Sequence, residues 1–155
     1  MINGDEIKRL IPQRYPMMMV SSFEATGEQS AATSLTVAAD NYFLLPGSEM
    51  SETGLIEHIA QSASALAGWR ALMAQKAMEN DNAKDEAANE STQHPPVGLI
   101  GEVKRFTCYR RARVGETVCT TVNFGLTFGA ATLLTGESRV GDEVIAEANM
   151  KIFIQ

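Results

Sequence analysis

The stretch SETGLIEHIAQSASALAGW, residues 51–69, places a carboxylate beside an imidazole inside a run of small and apolar residues. Ser51 is a residue type that caps the first free amides of a helix, and Leu55 and Ile59 have helical spacing. We therefore predict one long helix from Leu55 to about Met73. Alanine, serine and glycine fill most of its other positions, so this helix can approach a sheet or a partner closely.

The polar side chains of this helix divide between two of its faces. A spacing of four residues places Glu57 and Gln61 on one face, where Gln61 could hold the carboxyl group in position. Ser64 and Gly68 continue that face as a narrow stripe. His58 lies about 100° further round the helix, so it is poorly placed to pair with Glu57 of the same chain. It is either packed against a sheet or a base that acts across a dimer interface.

Strand patterns surround the predicted helix on both sides in the sequence. A short helix over 4–12, a turn with a strand over 13–26 and a second strand over 29–38 precede it. Four long strand patterns separated by turn residues follow it, over 97–109, 116–129, 131–140 and 143–155. The compact way to bury these elements is an α+β fold in which a long antiparallel sheet wraps around the central helix.

Length and composition set the remaining bounds. The 155 residues fit a single domain over 1–155, in which the polar residues 76–96 form a mobile loop. A net charge of −6 argues against nucleic-acid binding. Two cysteines without a metal-ligand spacing favour reduced thiols and no metal site. The sequence shows no secretion signal, no membrane span and no nucleotide motif, and we expect a cytoplasmic protein.

Three segments resemble the β-hydroxyacyl-ACP dehydratases of the FabZ and FabA type, which have the hot-dog fold. LIPQRYPMMMV, residues 10–20, is similar to their opening L-P-H-R-x-P-F-L-L-V. GLIEHIAQSASALAG, residues 54–68, resembles their central helix, and VGLIGEVKRFTCYRRARVGETV, residues 97–118, resembles their long strand A-G-I-D-x-x-R-F-K-R-P-V-x-P-G-D. The GLIE-x-IAQ pattern in particular is similar to relatives that serve aryl polyene and flexirubin-type pigment pathways.

This resemblance implies a homodimer whose sheets join edge to edge, with acyl-thioester tunnels at the interface. The substrate would arrive on the phosphopantetheine arm of an acyl carrier protein, or as an acyl-CoA, without a further cofactor, as in lipid or polyketide biosynthesis. The implied reaction removes water from a 3-hydroxyacyl thioester, with Glu57 as the acid. Backbone amides near the helix start would polarise the thioester carbonyl. The implied substrate-binding residues are Gln61, Ser64, Gly68, Gly54, Leu44 and Gly98.

One departure from the family pattern concerns the base. The family places a histidine in G-H-F-P-G before the helix, whereas this chain has YFLLPG, residues 42–47, with Leu44 at the histidine position. Only His58 and His94 exist in the chain, and neither occupies that position. His94 reads as a loop residue, or as one that folds over a tunnel mouth.

Three hypotheses follow from the missing histidine. The first is an active dehydratase in which Glu57 is the acid and His58 the relocated base. The second is a protein that binds acyl carriers without turnover, or that forms a heterodimer with a histidine-bearing homologue. The third is an acyl thioesterase in which Glu57 activates water.

A basic cluster lies within KRFTCYRRAR, residues 104–113. It reads either as a solvated strand end or as a docking site for an acidic carrier protein or a phosphopantetheine phosphate. The docking interpretation rests on Arg105, Arg110, Arg111 and Arg113.

Overall fold

The computed structural model describes residues 1–81 and 94–155. These residues form a 3-10 helix (Gly4–Arg9), one α-helix and nine strands. The elements are β1 (Ile2–Asn3), β2 (Ser22–Gly27), β3 (Ser30–Thr36), β4 (Leu44–Leu45), β5 (Glu49–Met50), α1 (Glu52–Asp81), β6 (Gly98–Cys108), β7 (Thr117–Phe128), β8 (Ala131–Val140) and β9 (Glu143–Ile154). Of the loop predicted over 76–96, the first six residues continue the helix, and 82–93 lie outside the described residues.

Seven strands form one antiparallel sheet in the order β1-β2-β3-β7-β8-β9-β6, and β4 pairs with β5 separately. Helix α1 packs against β2, β3, β6, β7, β8 and β9, so the sheet wraps around it. This is the predicted α+β hot-dog architecture, with the four C-terminal strands where the sequence pattern places them. The sheet ends at β1, which has 2 residues, and at β6, which has 11.

The helix is buried on all sides in its N-terminal half. Every residue from His58 to Gly68 is buried, although a helix at a protein surface normally keeps one polar face. The sheet covers one side, where Ile59 and Leu66 join the main apolar core. The N-terminal segment covers another side with Leu10 and Ile11, both fully buried.

Small side chains make this burial possible, and Gly68 is the clearest case. A methyl group added at Gly68 would lie 2.1 Å from the backbone oxygen of Leu10 and 2.9 Å from its Cα. At Gly68 the helix therefore packs directly against the backbone of the N-terminal segment, and no room remains for a side chain. Gly68 contacts Leu10 instead of a substrate channel, and we correct its predicted assignment to the substrate-binding stripe accordingly.

The methionine run at 17–19 is not part of a strand, although the sequence predicts one there. Strand β2 begins only at Ser22, and Met17 belongs to a turn that Met18 and Met19 follow. The reason is a side chain distant in sequence. Gln61 of the helix accepts the Met19 N–H at 2.6 Å and donates to the Met17 carbonyl at 2.7 Å, which occupies backbone groups that a strand would pair with a neighbouring strand.

We predict that Gly68→Ala lowers the free energy of unfolding by about 1–3 kcal/mol, because the added methyl group overpacks against rigid backbone. This net loss already includes the gain of about 1 kcal/mol in helix propensity that alanine brings. Urea denaturation of wild type and variant measures the difference. Gly125→Ala is the control, since its methyl group would lie 3.6 Å from Leu133, an ordinary contact distance. A Gly68→Ala protein as stable as wild type would contradict the close approach.

Candidate active site

A groove of about 250 Å³ lies between the helix and the start of β6. Glu57 is half-buried in it and is the single ionisable side chain among the residues that line it. The remaining lining is small, apolar or amide-bearing. The lining residues are Gln13, Glu57, Ala60, Gln61, Ser64, Gly98, Leu99 and Ile100.

Gln61 fixes the position of the Glu57 carboxylate. Its side-chain nitrogen donates to Glu57 Oε1 at 2.7 Å and also to the Met17 carbonyl, while its side-chain oxygen accepts the Met19 N–H. Gln61 is 1% exposed, so these three bonds satisfy a buried amide. Among the described residues, Gln61 is the one hydrogen-bond partner of Glu57, which leaves Oε2 available to a ligand. This is the positioning role predicted from the spacing of the two residues.

The groove narrows where β6 crosses the helix at Ser64. A methyl group added at Gly98 would lie 2.1 Å from Ser64 Oγ, so only glycine lets the strand pass this close. The next two residues of the strand, Leu99 and Ile100, line the groove and are 48% and 40% exposed. The groove therefore opens at the free edge of the sheet.

His58 points away from the groove, toward the sheet. Its side chain is 0% exposed, and both ring nitrogens have partners within the chain. Nδ1 donates to the Met19 carbonyl at 2.6 Å, and Nε2 accepts from the Thr120 hydroxyl at 2.9 Å. Thr120 in turn lies 2.7 Å from the Ser138 hydroxyl, which completes a buried polar chain across β7 and β8.

This environment keeps the His58 ring neutral. Burial lowers the pKa of His58 from 6.5 to about 4, because water cannot solvate a charge there, although the bond to the Met19 carbonyl opposes the shift. A ring with both nitrogens engaged and no access to the groove cannot take a proton from a substrate there. We correct the predicted role of His58 as a relocated base: the geometry is that of the packed histidine, the alternative that the sequence left open.

Leu44 and Gly54, both predicted to bind substrate, lie outside the groove. Leu44 pairs with Met50 between β4 and β5. A methyl group at Gly54 would lie 2.7 Å from side chains of Phe43 and Met50, and the Gly54 N–H donates to the Ser51 carbonyl at 3.0 Å. This amide is therefore already engaged, and both residues serve to pack the loop onto the start of the helix. Their role in substrate binding stays a prediction.

The predicted docking arginines fall into two groups, of which the first is paired internally. Arg110 contacts Glu116 at 2.9 Å and Glu143 at 2.8 Å, and Arg111 contacts Glu52 at 3.1 Å. The Arg110 guanidinium holds the pKa of Glu116 below its usual value. These two arginines therefore brace the loop between β6 and β7, which argues against their predicted use in docking.

Arg105 and Arg113 form the second group. Both are exposed, and neither makes a side-chain ion pair with any other residue of 1–81 and 94–155. They lie on β6 and in the loop after it. Of the predicted docking set, these two keep a positive charge free for a partner.

Sequence reasoning did not single out Gln13, Leu99 or Ile100 as site residues. All three line the groove, and all three lie within the segments that carry the family resemblance. Their neighbourhood is therefore recognisable, but their orientation depends on helix residues that lie at least 35 positions away in the sequence, such as Ser64 for Leu99 and Glu57 for Gln13. His94 is exposed and does not line the groove.

Two further absences concern the described part of the chain. Within residues 1–81 and 94–155, no three histidine, cysteine, aspartate or glutamate side chains form a group that could hold a metal ion. No helix in those same ranges is long and apolar enough to cross a membrane. Cys108 and Cys119 are both free thiols.

A family model matches the first half of the chain in sequence, and solved structures match most of the chain in fold. Residues 5–81 match the model of the ApeP-like family, described as the ApeP dehydratases. No curated protein matches the chain significantly.

Solved structures match over most of the chain. The dehydratase heterocomplex ApeI:P from Xenorhabdus doucetiae matches with a TM-score of 0.73 at 16% identity, over 96% of this chain and 90% of that one. The PaaI protein from the phenylacetic acid degradation operon of E. coli matches with 0.60 at 11% identity, over 85% and 81%. A hypothetical thioesterase with coenzyme A from Streptococcus pneumoniae matches with 0.60 at 7% identity, over 86% and 84%. At these identities the matches show the fold.

We predict that the free energy of unfolding falls by roughly 3 kcal/mol as the pH decreases from 6.5 to about 4, owing to His58 alone. Above pH 6.5 neither state binds the proton. Below it the unfolded chain takes up a proton that the folded chain accepts only near pH 4, so acid favours unfolding. Urea denaturation across this range measures the effect.

The upper part of the range isolates His58 from the carboxylates. Glu52 and Glu116 also have lowered pKa values, but their contributions to stability are lost only as the pH falls below about 4.5. His58→Gln should remove most of the slope between pH 6.5 and 4.5, and the control His94→Gln should keep it. An equal slope in the His58→Gln protein would contradict a buried, neutral ring.

Proposed function

The chain belongs to a hot-dog dehydratase family, in the ApeP-like branch, and from this premise we propose that it is the carboxylate-bearing subunit of a 3-hydroxyacyl-thioester dehydratase. The base comes from a second hot-dog chain that carries the family histidine. The proposal rests on a single observation. Glu57 is held in a groove that contains no imidazole and that opens at the free edge of the sheet.

Glu57 and Gln61 have distinct roles in this reaction. The partner's base removes the proton between the thioester carbonyl and the hydroxyl-bearing carbon. The electron pair forms the double bond as the 3-hydroxyl leaves, and Glu57 donates the proton that makes it water. Gln61 holds Oε1 and so directs Oε2 toward the substrate. Ser64 and Gly98 pack too closely for a chain to pass between them, so a pantetheine or acyl chain would enter along Leu99 and Ile100 at the open side of the groove.

The free edge at β6 is the proposed site of the second chain. An edge strand of 11 residues, unpaired on the side away from β9, presents a row of open backbone groups, which proteins normally cover. Leu99, Ile100 and Val103 on this strand are large apolar residues with exposures of 38% to 48%. A partner strand paired here would cover them and close the groove, because Leu99 and Ile100 also line it. The description of the Xenorhabdus doucetiae relative as a heterocomplex supports a partner with a different sequence.

The carrier of the substrate is proposed to be an acyl carrier protein. Such carriers are acidic, and this chain is itself acidic, with a net charge of −6, so docking requires a local basic surface. Arg105 and Arg113 supply unpaired positive charge on β6 and just beyond it, the strand that lines the groove. They are the proposed contacts for the carrier or for its phosphopantetheine phosphate.

A thioesterase is the second candidate, and the same lone carboxylate favours it. Glu57 could activate water against a thioester carbonyl without any imidazole. In that case the chain would need no histidine-bearing partner. The two candidates therefore predict different products from the same substrate, and also a different dependence on a second chain.

We predict that the chain of residues 1–155, mixed with a hot-dog protein that carries an intact G-H-F-P-G but has glutamine in place of the helix glutamate that matches Glu57, converts 3-hydroxybutyryl-ACP to the enoyl product, and that neither protein does so alone. Glu57→Gln should lower the rate of the mixture by at least about 100-fold, the usual contribution of a general acid. His58→Gln should leave the rate of enoyl formation by the folded fraction of the protein unchanged. The rate is followed by enoyl formation, with free thiol measured in parallel.

The control variant is Glu79→Gln, the same substitution at an exposed position of the same helix. It should leave the rate unchanged. Thiol release by the isolated chain that disappears in Glu57→Gln would contradict the dehydratase and support the thioesterase. A mixture that forms a complex but makes no enoyl product would contradict the proposed reaction.

A further inference from the structure

The side-chain amide of Gln13 is half-buried beside the Glu57 groove, and its two ends have different surroundings. The oxygen, Oε1, is enclosed by protein and has no hydrogen-bond partner among residues 1–81 and 94–155. The nitrogen, Nε2, does not belong to the enclosed unpaired atoms, and within the same ranges it donates to no other residue. Because the two atoms point in different directions from one carbon, the nitrogen is the end of the amide that reaches the groove.

This orientation is the one that the Glu57 carboxylate favours. With Nε2 outward, Gln13 presents a donor in the groove where Glu57 Oε2 is an open acceptor. The reverse orientation would place an amide oxygen in the same groove as the carboxylate, so that two acceptors would share it. Folded proteins seldom leave an enclosed polar atom unpaired without a reason. Here the unpaired Oε1 accompanies a donor that is free for a ligand.

The backbone of Gln13 is fixed on its outer side. Arg14 donates from Nη1 to the carbonyls of Ile11 and Gln13, each at 2.8 Å, and from Nη2 to the Lys8 carbonyl at 3.1 Å. One arginine therefore ties down the segment that follows the 3-10 helix. The Gln13 amide extends from a held backbone, as a group that positions a substrate requires.

The other polar side chains of the groove are less available as donors. The Gln61 nitrogen already donates to Glu57 and to the Met17 carbonyl. Ser64 is 3% exposed and lies where β6 closes onto the helix at Gly98. A ligand oxygen in the open part of the groove would therefore find its neutral donor at Gln13.

We propose that Gln13 Nε2 donates a hydrogen bond to the thioester carbonyl oxygen of the substrate. This inference rests on the proposed function. The family resemblance implies backbone amides at the helix start for this contact, but the Gly54 N–H donates to the Ser51 carbonyl. Gln13 supplies a donor from the opposite side of the chain, the segment before the first long strand.

The contact gains strength during the reaction. As the base removes the proton from the carbon beside the carbonyl, part of the electron pair left behind moves onto the carbonyl oxygen. A donor already in place stabilises that charge, and Gln13 itself transfers no proton. Glu57 meanwhile protonates the 3-hydroxyl. The two residues thus hold the two oxygens of a 3-hydroxyacyl thioester, which fixes the reacting carbons between them.

Binding of two probes that differ in the carbonyl oxygen tests the inference without turnover. The first is a ketone analogue of butyryl-pantetheine, in which a methylene group replaces the thioester sulfur and the carbonyl carbon is isotopically labelled. Neither dehydration nor hydrolysis can consume it. The second is S-butyl-pantetheine, a thioether that has no carbonyl oxygen. Each is titrated by NMR into the chain of residues 1–155, alone and mixed with the histidine-bearing protein of the rate assay.

Gln13→Leu should raise the dissociation constant of the ketone by roughly three- to tenfold, the effect of one lost hydrogen bond, and leave that of the thioether unchanged. Gln13→Glu keeps the shape of the side chain but replaces the donor by an oxygen, so it should weaken the ketone at least as much. The labelled carbonyl carbon should resonate further downfield when bound to wild type than to either variant, because a hydrogen bond deshields it. Gln75→Leu, on the helix outside the groove, is the matched control and should change neither probe.

The outcomes separate this inference from the proposed function. Equal weakening of both probes by Gln13→Leu, or no weakening of either, would overturn the assignment of Gln13 and leave the groove as an acyl site. A ketone that Gln13→Glu binds as tightly as wild type does would also overturn it, since an oxygen would then suffice at that place. Failure of wild type to bind either probe, both alone and in the mixture, would overturn the proposed function and this inference with it.

Discussion

The three hydrogen bonds of Gln61 join the parts of the molecule on which the candidate site depends. One buried amide ties the methionine segment to the helix and holds the carboxylate of Glu57. A buried amide must be satisfied on both its oxygen and its nitrogen, and here the partners are a backbone N–H, a backbone carbonyl and the reactive side chain. The packing of the N-terminal segment and the aim of Glu57 are therefore set by the same residue.

Glu57 and His58 are neighbours on the helix but have opposite surroundings. Glu57 faces a groove at the edge of the sheet, whereas His58 is turned into the protein, where Met19 and Thr120 engage its ring. The helix can carry both because its residues from His58 to Gly68 are enclosed by the sheet and by the N-terminal segment. A polar residue on any face must then have either a partner inside the chain or a ligand outside it, and His58 and Glu57 are one instance of each.

The sequence predicted the elements and one face of the site, and the reasons for this are local. Helical and strand periodicities depend on near neighbours, and so does the Glu57–Gln61 pair, four residues apart. The placement of His58, Gly68 and Arg110 depends instead on contacts with Thr120, Leu10 and Glu143, which are 62, 58 and 33 residues away. Spacing along one helix shows which residues share a face, but it does not show what that face meets. This is why spacing alone extends the substrate-binding face of the helix too far, to Gly68. It is also why the sequence does not show that Arg110 and Arg111 are paired within the chain.

The absence of an imidazole from the groove and the free edge at β6 are connected features in this account. A groove with an acid but no base needs a base from another chain, and the strand that lines it, β6, is an edge strand that is unpaired on one side. An edge of 11 residues with exposed leucine, isoleucine and valine side chains offers both the backbone groups and the apolar surface that a second sheet would cover. A second chain that pairs with β6 would then extend the sheet and complete the site at the same time.

Hydrogen–deuterium exchange of the β6 amides tests this claim most directly. The measurement compares the chain alone with the chain mixed with a histidine-bearing hot-dog protein, and it follows Gly98–Cys108 at single-residue resolution. The account predicts that the amides of this strand that do not pair with β9 exchange quickly in the chain alone and slowly in the mixture. Formation of a complex in which these amides still exchange quickly would contradict a site completed at this edge.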